Sequence, residues 1–136
     1  MKITFLGTGT STGVPEIGCT CQVCQSNNPK DKRLRTSALI ETKGKSILID
    51  CGPDFRYQML RDGHTSLDAV LVTHEHYDHV GGLDDLRPFS HEKEVDIYAE
   101  DYVTDAIISR IPYCFRKNKY KGIPNLNLHA VREPFM

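Results

Sequence analysis

The 136-residue chain balances 17 basic against 18 acidic side chains for a formal net charge of −1, which excludes a broadly basic nucleic-acid binder while leaving room for a local basic patch. Hydrophobic residues at 39% and charged residues at 26% exclude a disordered or low-complexity chain. No apolar run nears the ~20 residues that cross a bilayer, and the N-terminus lacks a secretory leader's charged and apolar regions, so the expectation is one cytoplasmic domain over residues 1–136 with no membrane partner.

Residues 3–6 read as a short buried strand running into Gly7-Thr8-Gly9-Thr10-Ser11-Thr12-Gly13. A loop of this composition can bring backbone N–H groups close to an anion or a metal site, yet it matches neither the P-loop nor the dinucleotide fingerprint. Residues 14–35 show no period and end in Pro29-Lys30-Asp31-Lys32-Arg33-Leu34-Arg35. This basic segment reads either as a solvated loop or as a surface that meets phosphate. Strand-like runs at 37–41 and 46–50 flank Thr42-Lys43-Gly44-Lys45, a hairpin signal. The continuous Ile47-Leu48-Ile49 places the second run inside a covered sheet. Phe55, Met59 and Leu60 recur at helical spacing over 54–61, and Asp62-Gly63 stops that helix. Residues 67–73 contain a further buried strand, Ala69-Val70-Leu71-Val72. Residues 95–98 alternate as a strand, 100–110 carry a helical stripe of Val103, Ala106 and Ile107, and 127–131 are again strand-like. Strands first and helices interleaved later make a mixed α/β (α+β) layout, with no repeat and no internal linker.

Cys19, Cys21 and Cys24 fall within six residues, too tight for an ordinary disulfide framework, and the total of five cysteines is odd. In a reducing compartment clustered thiols bind metal more often than they pair. Tetrahedral zinc takes such thiolates, so a Cys-rich loop at about 18–30 offers three ligands and lacks a fourth. The other reading is three unrelated thiols. Cys51 and Cys114 are expected as packed small residues.

The densest chemistry is Thr73-His74-Glu75-His76-Tyr77-Asp78-His79-Val80-Gly81-Gly82-Leu83, where three of six histidines and two carboxylates, Glu75 and Asp78, lie within six residues. Imidazole and carboxylate suit zinc, manganese or iron. His74 and His76, two apart in extended backbone, can face one metal. Asp78 and His79 follow in a tight turn and can face a second. Two metals ~3.5–4 Å apart suit hydrolysis, because the attacking and the leaving oxygen are both stabilised. Glu75 and Tyr77 alternate away from the ligands. His64 and His91 read as surface histidines, and His129 as packed within its strand.

The motif at 73–83, together with F-L-G-T-G-T at 5–10 and I-L-I-D-C-G at 47–52, resembles the metallo-β-lactamase superfamily. The resemblance implies a four-layer αββα sandwich, of which this chain looks like the N-terminal half. G-C-x-C-x-V-C at 18–24 narrows it to the PhnP-like phosphoribosyl cyclic phosphodiesterase branch, which carries a structural zinc on a cysteine cluster beside its dimetal site. Carried over by position, His74 and His76 would hold the first metal, and Asp78 and His79 the second. Cys19, Cys21 and Cys24 would hold the structural zinc, and Asp50 would support the metal loop from behind. The family's remaining ligands have no counterpart here and are expected beyond Met136.

The resulting expectation is a metal-dependent hydrolase with two divalent ions (zinc or manganese) and one structural zinc. It would be a phosphodiesterase acting on cyclic ribose phosphate or related small phosphodiesters through hydroxide held by the metal pair, with Asp78 as the catalytic residue orienting it. The alternatives are a ribonuclease Z-like nucleic-acid phosphodiesterase, which the basic segment favours, and a non-catalytic zinc-binding module. The expected partner is a small phosphodiester, with nucleic acid second and a homodimer left open. With every site short of ligands, the 136-residue chain by itself is expected to be an incomplete and inactive domain.

Overall fold

The computed structural model describes residues 1–117 and 120–133; Pro134 and Met136, where the domain is expected to be interrupted, lie outside the described residues. Six strands form one sheet whose spatial order is the chain order. β1 (Lys2–Gly7), β2 (Ser37–Thr42) and β3 (Lys45–Ile49) pair antiparallel, whereas β4 (Ala69–Leu71), β5 (Val95–Ala99) and β6 (Leu126–Ala130) are added parallel.

Local chemistry explains the change of sense. Lys43 and Gly44 both take positive φ, 48° and 74°, the turn whose twist suits a two-residue hairpin. Parallel strands instead need crossovers. α1 (Phe55–Asp62) spans β3 to β4. The His-rich loop with α2 (Tyr77–Val80) and a 3₁₀ run at Leu83–Ser90 spans β4 to β5. α3 (Asp101–Arg110) and a 3₁₀ turn at Pro112–Phe115 span β5 to β6. Gly63, at φ 70°, ends α1 in the left-handed cap that Asp62-Gly63 announces.

One sheet face carries the core, in which Leu39, Leu48, Val70 and Ile97 are sealed against Phe55, Met59, Leu83, Leu86, Val103 and Ile107. The alternating residues Ile40, Ile47, Ile49 and Leu71 are only half-buried, and Phe5 is 71% exposed. The expected covered sheet is therefore covered on one side only among the described residues. A continuous apolar run sends successive side chains to both faces, and the helices pack into a single cluster. Two boundaries also differ. β4 is shorter than 67–73; just before it the Asp68 carboxylate accepts the Ser46 N–H at 2.9 Å while the Asp68 N–H donates to the Ser46 carbonyl at 2.8 Å. The 3₁₀ run carries Pro88 within it, with Leu83 and Leu86 three apart, so it shows 3₁₀ spacing and no 3.6-residue period. No helix among the described residues is long and apolar enough to cross a membrane.

Candidate metal centre

The site is built where β3 stops. Asp50 takes φ 59° and is 3% exposed, a left-handed conformation that Asp tolerates better than most residues. Its N–H donates to the Leu71 carbonyl at 2.9 Å, so the turn remains tied to the end of β4. The outgoing chain then grips the His-rich loop. Cys51 N–H donates to the His79 carbonyl at 2.8 Å, and Gly82 N–H to the Cys51 carbonyl at 2.8 Å. A Cβ on Gly52 would collide with the Asp78 carbonyl, and one on Gly82 with the Gly52 carbonyl. Only glycine permits backbones this close.

The Asp50 carboxylate organises the loop's side chains. Oδ1 accepts the Thr73 N–H at 2.8 Å, and Oδ2 lies 2.7 Å from His79 Nδ1 and 2.9 Å from Thr73 Oγ1. Thr73 Oγ1 is also 3.0 Å from His74 Nδ1. A hydroxyl has one proton, and a carboxylate can only accept it. Thr73 therefore donates to Asp50 and accepts from His74 Nδ1–H, while His79 Nδ1–H donates to Asp50. Both assignments leave the Nε2 lone pairs of His74 and His79 free to ligate. The rings are gathered: the His74 centroid is 4.6 Å from that of His76 and 3.9 Å from that of His79. Asp78, on α2, brings Oδ2 to 3.2 Å from His79 Nε2.

The donor chemistry, two oriented imidazoles with a third imidazole and a carboxylate beside them, fits divalent cations of the zinc and manganese kind. The loop does not gather three donor atoms into one tight cluster. Among the described residues that distinction belongs to Cys19, Cys21 and Cys24, whose sulfurs all lie within 4.8 Å of one another. The backbone N–H of Cys24 reaches Cys21 Sγ at 3.4 Å, and that of Glu16 reaches Cys24 Sγ at 3.4 Å. The Cys24 N–H, aided by the thiols of Cys19 and Cys24, holds the Cys21 thiol below its ordinary pKa. This favours the thiolate that a metal requires.

Other expectations fare unevenly. Cys51 and Cys114 are fully buried, and His91 is exposed. His64 is half-buried rather than a surface histidine, and its Nε2 is enclosed without a partner. His129 is engaged within the sheet, 2.7 Å from Asp96 and stacked on Tyr98 at 4.5 Å. The Gly-Thr loop spends amides on packing: Gly9 N–H donates to the Leu34 carbonyl at 2.7 Å and Gly13 N–H to Thr10 at 2.9 Å. Thr73 is the residue that sequence reasoning missed. Its signal was a hydroxyl directly ahead of the first histidine.

Residues 45–135 match the family model described as Beta-lactamase superfamily domain. A Porphyromonas gingivalis protein named octanoyltransferase is 59% identical over 133 residues, which are 97% of this chain and 27% of that protein. A ribonuclease Z of Bradyrhizobium diazoefficiens is 38% identical over 86 residues, covering 62% of this chain and 23% of its own. The crystal structure of a new diphosphatase from the PhnP family superposes with a TM-score of 0.86 at 41% identity, over 96% of this chain and 50% of that one. The chain thus spans about a quarter of the two curated relatives and half of the solved structure. Most of the octanoyltransferase lies outside the match. The sheet with its one helical layer corresponds to the N-terminal half of the αββα sandwich. With a family model covering more than half of its length and a superposition over nearly all of it, this chain belongs to the β-lactamase superfamily.

Proposed function

We propose that this chain supplies the His74, His76, Asp78 and His79 ligands of a two-metal hydrolase centre that cleaves phosphodiesters, with cyclic ribose phosphates and related small phosphodiesters as substrates. The observation that carries the reading is the Asp50–Thr73 arrangement, which turns two imidazoles of one loop into ligands with their Nε2 atoms free. A divalent metal pair supplies Lewis-acid stabilisation of the charge that develops on phosphorus-bound oxygens. The protein's share is positional. Asp50 and Thr73 hold the imidazole tautomers, the Gly52 and Gly82 contacts fix the loop, and Asp78 orients the attacking water and takes up its proton. Cys19, Cys21 and Cys24 contribute three ligands of a structural zinc. The 41% identity to a PhnP-family diphosphatase over 96% of the chain favours phosphorus chemistry.

The test uses the full-length protein with zinc or manganese on a cyclic ribose phosphate, an aryl phosphodiester and precursor tRNA. Hydrolysis of the small diesters, lost in His76→Ala and in Asp78→Ala, is the expected result. Turnover that survives both changes would sink the proposal. Cleavage confined to precursor tRNA would replace it with a ribonuclease Z-like reading, which the 38% identical relative supports.

A further inference from the structure

In the αββα arrangement the second sheet packs on the half-buried sheet face, away from the helices, so the outer side of the helical layer is a surface of the whole domain. That surface is not sealed. Between α1 and the 3₁₀ run at Leu83–Ser90 lies a cleft of about 380 Å³ whose walls include Phe55, Met59, Leu60 and Phe89. Phe55 and Phe89 meet edge to face there, with centroids 5.7 Å apart. A second hollow of about 600 Å³ shares Thr65, Pro88 and Phe89 with the first, so one groove follows the seam between the two elements. Beside it stands an apolar ridge. Tyr57 and Leu60, three apart on one flank of α1, are 59% and 64% exposed, and Pro88 across the groove is exposed too. Arg56 from α1 and Asp85 from the 3₁₀ run line the same cleft. Among the described residues neither joins an ion pair, with each other or with any other side chain.

We infer that this groove is an interface with a second copy of the chain. A two-fold axis sets each feature of a patch opposite its counterpart. Arg56 of each copy then pairs with Asp85 of the other, and the Tyr57–Leu60 ridge of each lies in the groove of the other. The presence of both signs on one patch is what selects this occupant. A partner surface of a single sign would match one of the two charges and repel the other, whereas a second copy supplies both. An apolar groove and an apolar ridge side by side complement each other under the same axis. The inference concerns the outer helical layer and does not depend on the metal chemistry proposed above.

The experiment measures the mass of the full-length protein in solution by sedimentation equilibrium over a dilution series. A dimer is expected. Leu60→Ser, Arg56→Asp and Asp85→Arg should each raise its dissociation constant at least tenfold. The double variant Arg56→Asp/Asp85→Arg restores the pairing with the signs exchanged, so its dissociation constant should return to that of the parent. All three side chains are exposed, and thermal unfolding followed by circular dichroism should show each variant folded. The rescue by the double reversal separates a broken contact from a damaged fold, because a damaged fold would not be repaired by a second change. A monomer at every concentration overturns the inference and leaves the groove to a different occupant. A dimer that ignores the three single variants overturns it as well, since its interface then lies elsewhere, and so does a double reversal no tighter than the single ones.

Discussion

His79 Nδ1 donates to Asp50 Oδ2 across 2.7 Å, and that carboxylate is 3% exposed. The bond holds the ring with Nε2 outward, a role in which outer partners commonly govern ligand quality. Asp50→Asn tolerates the left-handed backbone but confronts Nδ1–H with a neutral amide. Metal affinity at the His-rich loop of the full-length protein should fall by roughly ten- to a hundred-fold. Equilibrium dialysis against zinc measures this, and an unchanged affinity would refute the supporting role.

Thr73 makes a finer prediction. Thr73→Val keeps the shape and the N–H bond to Asp50 but removes the hydroxyl between Asp50 and His74. Zinc affinity should drop by about tenfold, the low end for an outer-shell change, and Thr73→Ser should restore it. Equal affinities for the Val and Ser variants would show that the hydroxyl does not orient His74.

Gly52→Ala places a methyl group against the Asp78 carbonyl. Backbone must move, which in packed surroundings costs about 1–3 kcal/mol. Urea unfolding should show that loss, and the displaced Asp78 and His79 should lower metal uptake alongside it. A variant of wild-type stability would mean that the loop is freer than its contacts indicate.

The cysteine loop is tested by metal count. Cys21→Ala leaves two sulfurs where structural zinc takes four donors. The full-length variant should contain one zinc fewer per chain by elemental analysis and should melt at a lower temperature. Full zinc content in that variant would remove Cys21 from the ligand set.

A last prediction concerns acid. The Ser46 N–H, followed by Lys45 and Lys93, holds the Asp68 carboxyl down at a pKa of about 2. Its unfolded value is ~3.9, so the folded state binds its proton less readily. The ionised group stabilises the fold above about pH 4, and this contribution fades as pH falls toward 2. With both lysines exposed to solvent, its size is roughly 1–2 kcal/mol. Asp68→Asn should therefore be less stable than the parent at pH 7, with the gap narrowing by pH 3. Denaturant curves at the two pH values check this, and a constant gap would contradict it.

Much of this was legible from residue patterns because the strands are apolar runs bounded by turn formers, and because the ligand-type residues crowd into six positions. α1 and α3 are found within a residue of where their apolar spacing puts them. Less legible were features made by distant partners. Thr73 acquires its role only when β3 and β4 lie side by side and Asp50 turns left-handed. Ile47 and Ile49 look fully interior from composition, yet which sheet face is covered depends on where the helices return. The 3₁₀ run at Leu83–Ser90 was hidden by Pro88 and by a period of three. His64 lost its surface setting to tertiary packing after α1, which no local signal marks.

The parallel half of the sheet sends the chain out of β3 and β4 at the same edge, where Asp50, Thr73 and the His-rich loop stand, while the core side chains lie on the face below. Durability and chemistry are thereby assigned to different residues. The edge loops can diverge in sequence, and so in what they recognise, without repacking Leu48, Val70 or Ile97. Such a division favours the appearance of new specificities on an unchanged scaffold.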